Sequence, residues 1–112
     1  MPTQLRILLD ECAPRLVKTR LPALDILTVQ EMGWAGIKNG ELLALAEVRF
    51  DISVTADKKL RYQQNLKGRR LAVVVLPSNQ VPIVATLLPT IEQVLQSTQP
   101  GTIVEIPLPP TL

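Results

Sequence analysis

The sequence predicts an α/β fold, a single three-layer doubly wound domain over residues 1–112 built on a mostly parallel five-stranded sheet. Three observations lead there. Five short apolar runs of strand length alternate with segments whose apolar residues recur at helical spacing. The run Leu71–Leu76 is nearly all apolar, as a central strand covered on both faces must be. Two other runs end in carboxylates, Ile7-Leu8-Leu9 at Asp10-Glu11 and Ile52-Ser53-Val54-Thr55 two residues before Asp57. Such ends are where an open parallel sheet collects ligands.

Taken in order, Leu5–Leu9 reads as the first strand, and Pro14–Arg20 as a short helix with Pro14 tolerated in its first turn. Asp25–Val29, rich in Ile, Leu, Thr and Val, is the second strand. Gly33, Gly36 and Gly40 punctuate a loop around Trp34, after which Asn39 is a good N-cap for a helix over Glu41–Val48. Leu42, Leu43, Leu45 and Ala46 make its apolar face. Asp51–Thr55 is the third strand, Arg61–Leu66 a short helix, and Leu71–Leu76 the fourth strand. Val81–Gln96 is the longest helical pattern, with Pro89 expected to kink or split it. Thr102–Ile106 is the fifth strand, and Pro107 with Pro109-Pro110 ends the order. The proline-rich end reads as a plain chain end or as a ligand for a partner.

Composition narrows the chemistry. Hydrophobic residues at 46% with 20% charged suit a globular domain, and aromatics at 3% leave the core to Leu, Val, Ile and Ala. No apolar stretch is long enough to cross a bilayer, the N-terminal residues lack signal-peptide anatomy, and the single cysteine excludes an internal disulfide; a cytoplasmic location is therefore expected. Cys12 reads as a small buried hydrophobe near a helix start. With no histidine, imidazole-based triads and His/Cys zinc sites are excluded, and no glycine-rich phosphate loop is present. Carboxylate, amide, hydroxyl and basic groups remain, an inventory that favours Mg²⁺ or Mn²⁺ over softer metals.

Asp10 and Asp57 at matching strand ends would build a hard-oxygen cation site; alternatively, each is a polar stop that caps the helix after it. The net charge of +2 is small, but half of the twelve basic residues follow Asp57 directly, as Lys58, Lys59, Arg61, Lys67, Arg69 and Arg70. Beside a metal this segment would lie at the mouth of the site and hold phosphates. Gln63, Gln64 and Asn65 add amide groups, and Tyr62 offers a face for a base. Away from a metal, the same segment is a solvated basic loop.

Leu8-Leu9-Asp10-Glu11, Thr28-Val29-Gln30-Glu31-Met32-Gly33-Trp34, Gly36 to Leu43, and Val54-Thr55-Ala56-Asp57-Lys58-Lys59-Leu60 resemble the short bacterial PIN-like family, relatives of the PIN-domain ribonucleases and of toxins in toxin–antitoxin pairs. Arg61-Tyr62-Gln63-Gln64-Asn65-Leu66 resembles a stretch of one branch, and the likeness runs from residue 5 to about 106. The resemblance implies a metal-dependent endoribonuclease in which Asp10, Glu11 and Asp57 are the catalytic acids. A further acid at the start of the middle helix is matched here by Asn39, a neutral ligand, with Glu41 two residues on. Glu41 would complete the metal shell if turned inward; otherwise it is a first-turn Glu favoured by the helix dipole. Glu31 is a reserve ligand.

On this reading Asp10 and Asp57 ligate Mg²⁺ or Mn²⁺, Glu11 or Glu41 completes the shell, and Thr55 orients a carboxylate or water. Lys58, Lys59, Arg61, Tyr62, Gln63, Gln64 and Asn65 bind RNA, and cleavage leaves a 5′-phosphate and a 3′-hydroxyl. Expected partners are RNA, a cognate antitoxin protein and a second copy of the chain, docked through strand five or the apolar 81–96 segment, with no membrane. Two rivals stand beside it. A phosphoacceptor receiver domain shares the acidic positions and could use Ser78, but it needs a Lys after strand five, where Ile106-Pro107-Leu108 stand. A PIN-like module that binds RNA or protein without cutting fits Asn39 and the modest charge.

Overall fold

Short runs of Ile, Leu and Val form strands here because they present apolar side chains to both faces of a covered sheet. The computed structural model describes residues 5–57 and 69–108, the Asn39 side chain excepted. Its elements are β1 (Arg6–Leu9), α1 (Leu16–Arg20), β2 (Asp25–Thr28), α2 (Asn39–Arg49), β3 (Ile52–Thr55), β4 (Ala72–Val75), α3 (Val81–Ser97) and β5 (Ile103–Glu105). The sheet order is β2-β1-β3-β4-β5, and every described pairing is parallel. The expected mostly parallel sheet is thus wholly parallel.

The pleat sends alternate residues to two cores. Ile7, Leu9, Ile52, Val54 and Val74 meet Val17 of α1 and Val84, Leu87, Ile91 and Leu95 of α3 on one face. Leu8, Val73 and Val75 meet Leu42, Leu43, Ala46 and Phe50 on the other. Helices on both faces make the arrangement three-layered. The Arg61–Leu66 helix expected from the sequence lies outside the described residues.

Three local expectations change. Lys38, extended at φ −70° and ψ 153°, is the N-cap of α2, and its carbonyl accepts from Leu42 N at 2.8 Å. Asn39 is therefore the first helical residue rather than the cap. Within α2, Leu45 is 36% exposed, because Leu42, Leu43 and Ala46 already fill the contact with the sheet. Pro89 does not split α3, which runs unbroken over 17 residues. Pro89 is exposed, so water can take the hydrogen bond that its missing N–H forgoes.

Topology also relocates part of the basic segment. A parallel crossover leaves the carboxyl end of β3 and must re-enter at the amino end of β4. Arg69 and Arg70 precede β4, so they stand at the opposite end of the sheet from Asp57, not at the mouth of the acidic site. There Arg69 Nη1 donates to Glu47 Oε2 at 2.9 Å, and Arg70 N donates to Glu47 Oε1 at 3.0 Å.

The predicted interfaces fare differently. The apolar stripe of α3 is spent on the core, whereas β5 is an edge strand with Ile103 38% exposed. Among the described residues, no helix is long and apolar enough to cross a membrane.

Candidate functional site

Strand order reverses between β1 and β3. From β1 the chain moves to one side to form β2, then returns to the other side for β3 and β4. This switch point is where open parallel sheets bind ligands. Asp10 follows β1, and its backbone N donates to Val54 O of β3 at 2.9 Å, which locks the two strand ends together.

The side chains there form one network. Thr55, 1% exposed, donates its hydroxyl to Asp10 Oδ2 at 2.9 Å and accepts from Asp57 N at 3.0 Å. One buried hydroxyl therefore orients the first acid and fixes the backbone of the second. Cys12 Sγ donates to the same Asp10 Oδ2 at 3.1 Å, lies 3.1 Å from Thr55 Oγ1, and accepts from Ala56 N at 3.3 Å. Burial pushes the Cys12 thiol above its ordinary value and the Asp10 carboxylate adds to this, while the Thr55 hydroxyl and the Ala56 N–H offset part of it. Cys12 stays a neutral donor at neutral pH.

Cys12 is therefore half-buried and polar in its contacts, not the plain hydrophobe expected. Asp10 does not cap α1 either: Arg15 is the N-cap, with no side-chain cap. Both donors reach Oδ2, and among the described residues none reaches Oδ1. Asp57 is half-buried and has interactions beyond its N–H bond to Thr55.

The other acids are turned elsewhere. Glu11 is exposed, and its Oε1 accepts from Gly36 N at 2.9 Å, a contact made possible by the turn in which Gly36 sits at φ 85°. Glu31 and Thr28 close a reciprocal pair, Thr28 N to Glu31 Oε1 at 3.0 Å and Glu31 N to Thr28 Oγ1 at 3.1 Å. Lys18 also donates to Glu31 Oε1. The hydrogen bond from the Lys18 ammonium, followed by that from Thr28 N–H, lowers the Glu31 carboxyl to about 2.

An open cleft of about 450 Å³ lies over the ends of β1 and β2, lined by Leu9, Asp10, Glu11, Arg15, Gln30 and Glu31 among others. Asp57 is not in its wall, so the cleft and the switch point share Asp10 as their common member. Arg15 is a cation at this cleft that the sequence reading missed. Its signal was available: it stands five residues after Asp10, in the turn that Pro14 begins.

The remaining predicted site residues divide in two. Glu41 is exposed in the first turn of α2, and no described contact ties it to Asp10 or Asp57. Lys58, Lys59, Arg61, Tyr62, Gln63, Gln64 and Asn65, with Lys67, lie outside the described residues, as does the Asn39 side chain. Among the described residues, no three carboxylate or thiol groups gather as a metal-binding set. Ser78 follows β4 as the receiver pattern asks, but Ile106, Pro107 and Leu108 follow β5. Comparison of the chain with protein-family models, curated proteins and solved structures finds no match.

Proposed function

We propose that this chain is a metal-dependent endoribonuclease of PIN-like type, and that it acts as the toxin of a toxin–antitoxin pair. One observation carries the reading: Asp10 and Asp57 leave adjacent strands at the switch point, joined through the buried Thr55 hydroxyl. The donor chemistry fits Mg²⁺ or Mn²⁺. Such ions are commonly held by one or two carboxylates, with water and substrate phosphates completing the shell, so a third protein acid is not required. Asp10, with Oδ1 facing no described donor, and Asp57 would hold the ion. When bound, it lowers the pKa of a water and neutralises charge on the scissile phosphate.

The chain's own groups supply the rest. Thr55 and Cys12 fix Asp10 Oδ2, so that its other oxygen points in one direction without side-chain reorganisation. Arg15 stands at the cleft beside Asp10, where a flanking phosphate would be attracted to it. Lys58, Lys59 and Arg61 extend the positive charge along the chain from Asp57 and make RNA affinity salt-sensitive.

A second reading, a PIN-like module that binds without cutting, draws on the commitments of Glu11 to Gly36 and of Glu31 to Lys18, which leave two acids in the cluster. The test is cleavage of a mixed RNA pool with Mn²⁺, Mg²⁺ or EDTA, using wild type, Asp10→Asn and Asp57→Asn. Cutting that needs metal and is lost in both variants is the expected result. Intact RNA with all three folded proteins would replace the nuclease by the module.

A further inference from the structure

The amino ends of the strands frame a second concavity, at the opposite end of the sheet from the carboxylates. It is an open cleft of about 340 Å³, lined by Arg6, Arg49 and Arg70 with Glu47, Phe50 and Asp51. Parallel winding gathers these residues. Arg6 opens β1, Arg49 ends α2, Asp51 precedes β3 and Arg70 precedes β4.

Of the two carboxylates of the cleft, Glu47 is paired with a cation and Asp51 is held by a backbone N–H. Glu47 binds the Arg69 guanidinium and the Arg70 backbone N–H, and Asp51 Oδ2 accepts from Arg6 N at 2.8 Å. The Arg6 guanidinium rests 5.7 Å from the centroid of the Phe50 ring. Among the described residues, no carboxylate pairs with the guanidinium groups of Arg6, Arg49 or Arg70. Three guanidinium groups thus share the concavity with Glu47, whose charge Arg69 meets, and with Asp51, so that among the described residues the wall keeps a net positive charge.

We propose that this cleft binds phosphate-bearing anions through Arg6, Arg49 and Arg70. The guanidinium fork matches phosphate oxygens in pairs, which a lysine cluster would not do. The ligand is either a small free phosphate compound or the backbone of a nucleic acid, since both present the same group. The proposal is independent of the nuclease reading, because it uses neither Asp10 nor Asp57.

The test uses the full chain in EDTA, titrated with pyrophosphate and, separately, with a short single-stranded oligouridine over a range of KCl. The proteins are wild type, Arg49→Gln/Arg70→Gln and, as a charge-loss control outside the cleft, Arg20→Gln. Arg49 and Arg70 are exposed, and a thermal melt establishes that the double variant is folded. Wild type should bind at least one probe, and the double variant should bind it at least ~10-fold more weakly, as expected for two lost charge-assisted contacts. For oligouridine, the log–log salt slope should become shallower by about 1.4. Arg20→Gln, which removes an exposed charge outside the cleft, should bind like wild type.

Loss confined to oligouridine identifies a nucleic-acid backbone as the source, and loss with pyrophosphate identifies a small phosphate compound; either supports the proposal. Absence of binding to both probes, or undiminished binding in the double variant, overturns it.

Discussion

Thr55→Val removes one hydroxyl at a position 1% exposed, while keeping the β-branched shape that suits a strand. Two interactions are lost with it. The hydroxyl's 2.9 Å bond to the Asp10 carboxylate is charge-assisted, a class with a net contribution of about 1.5–3 kcal/mol. Asp10 is half-buried and water can partly replace the donor, so the lower end applies. Asp57 N–H also loses its 3.0 Å acceptor, for about 1 kcal/mol more. The total is about 2–3 kcal/mol, or a fall in Tm on the order of 10 °C for a domain of this size. Urea unfolding at pH 7 measures it, with Thr55→Ser as the control that keeps the hydroxyl. The expected order is wild type, then Ser close behind, then Val well below. A Val variant within about 0.5 kcal/mol of wild type, the range of an ordinary surface change, would refute the network. Equal losses in Ser and Val would assign the effect to the methyl group instead.

Other perturbations probe other parts of the chain. Because the Glu31 carboxyl is lowered to about 2 from 4.5, its contribution is complete above about pH 4.5 and is lost as pH falls through about 2. The Tm difference between wild type and Glu31→Gln should therefore be flat above pH 5 and shrink below it; a difference that does not change down to pH 2 would refute the pairing with Lys18. Gly101 has φ 74°, and a Cβ there would lie 2.8 Å from the Arg69 carbonyl oxygen, so Gly101→Ala should cost more than the ~1 kcal/mol of the backbone strain alone when measured by urea unfolding. On α2, Leu43→Ala at 2% exposure should cost about 2–5 kcal/mol, whereas Val48→Ala at 84% exposure should change stability by less than about 0.5 kcal/mol. Comparable losses at the two sites in urea melts would contradict the assigned face of the helix.

The sequence by itself determined the described strands and helices, most of their core residues though not the outward-facing Leu45, and the position of both acids at strand ends. Those follow from periods of two and 3.6 residues and from polar stops, which are properties of short stretches of backbone. Ile7 and Leu9 facing one core and Leu8 the other could be read from alternation alone. The helix cap shifted by one residue, from Asn39 to Lys38, because cap geometry depends on the incoming turn as well as on side-chain type.

Tertiary structure decided what composition and spacing could not express. That Cys12 and Thr55, 43 residues apart, share Asp10 Oδ2 depends on β1 lying beside β3. That Glu11 turns to Gly36 depends on the loop after β2 folding back over the strand end. Arg69 and Arg70, close to Asp57 in sequence, stand at the far end of the sheet because each strand of a parallel sheet must be entered from the same side. Local pattern specifies which residues become strand ends; only strand order and crossover direction specify which of those ends meet.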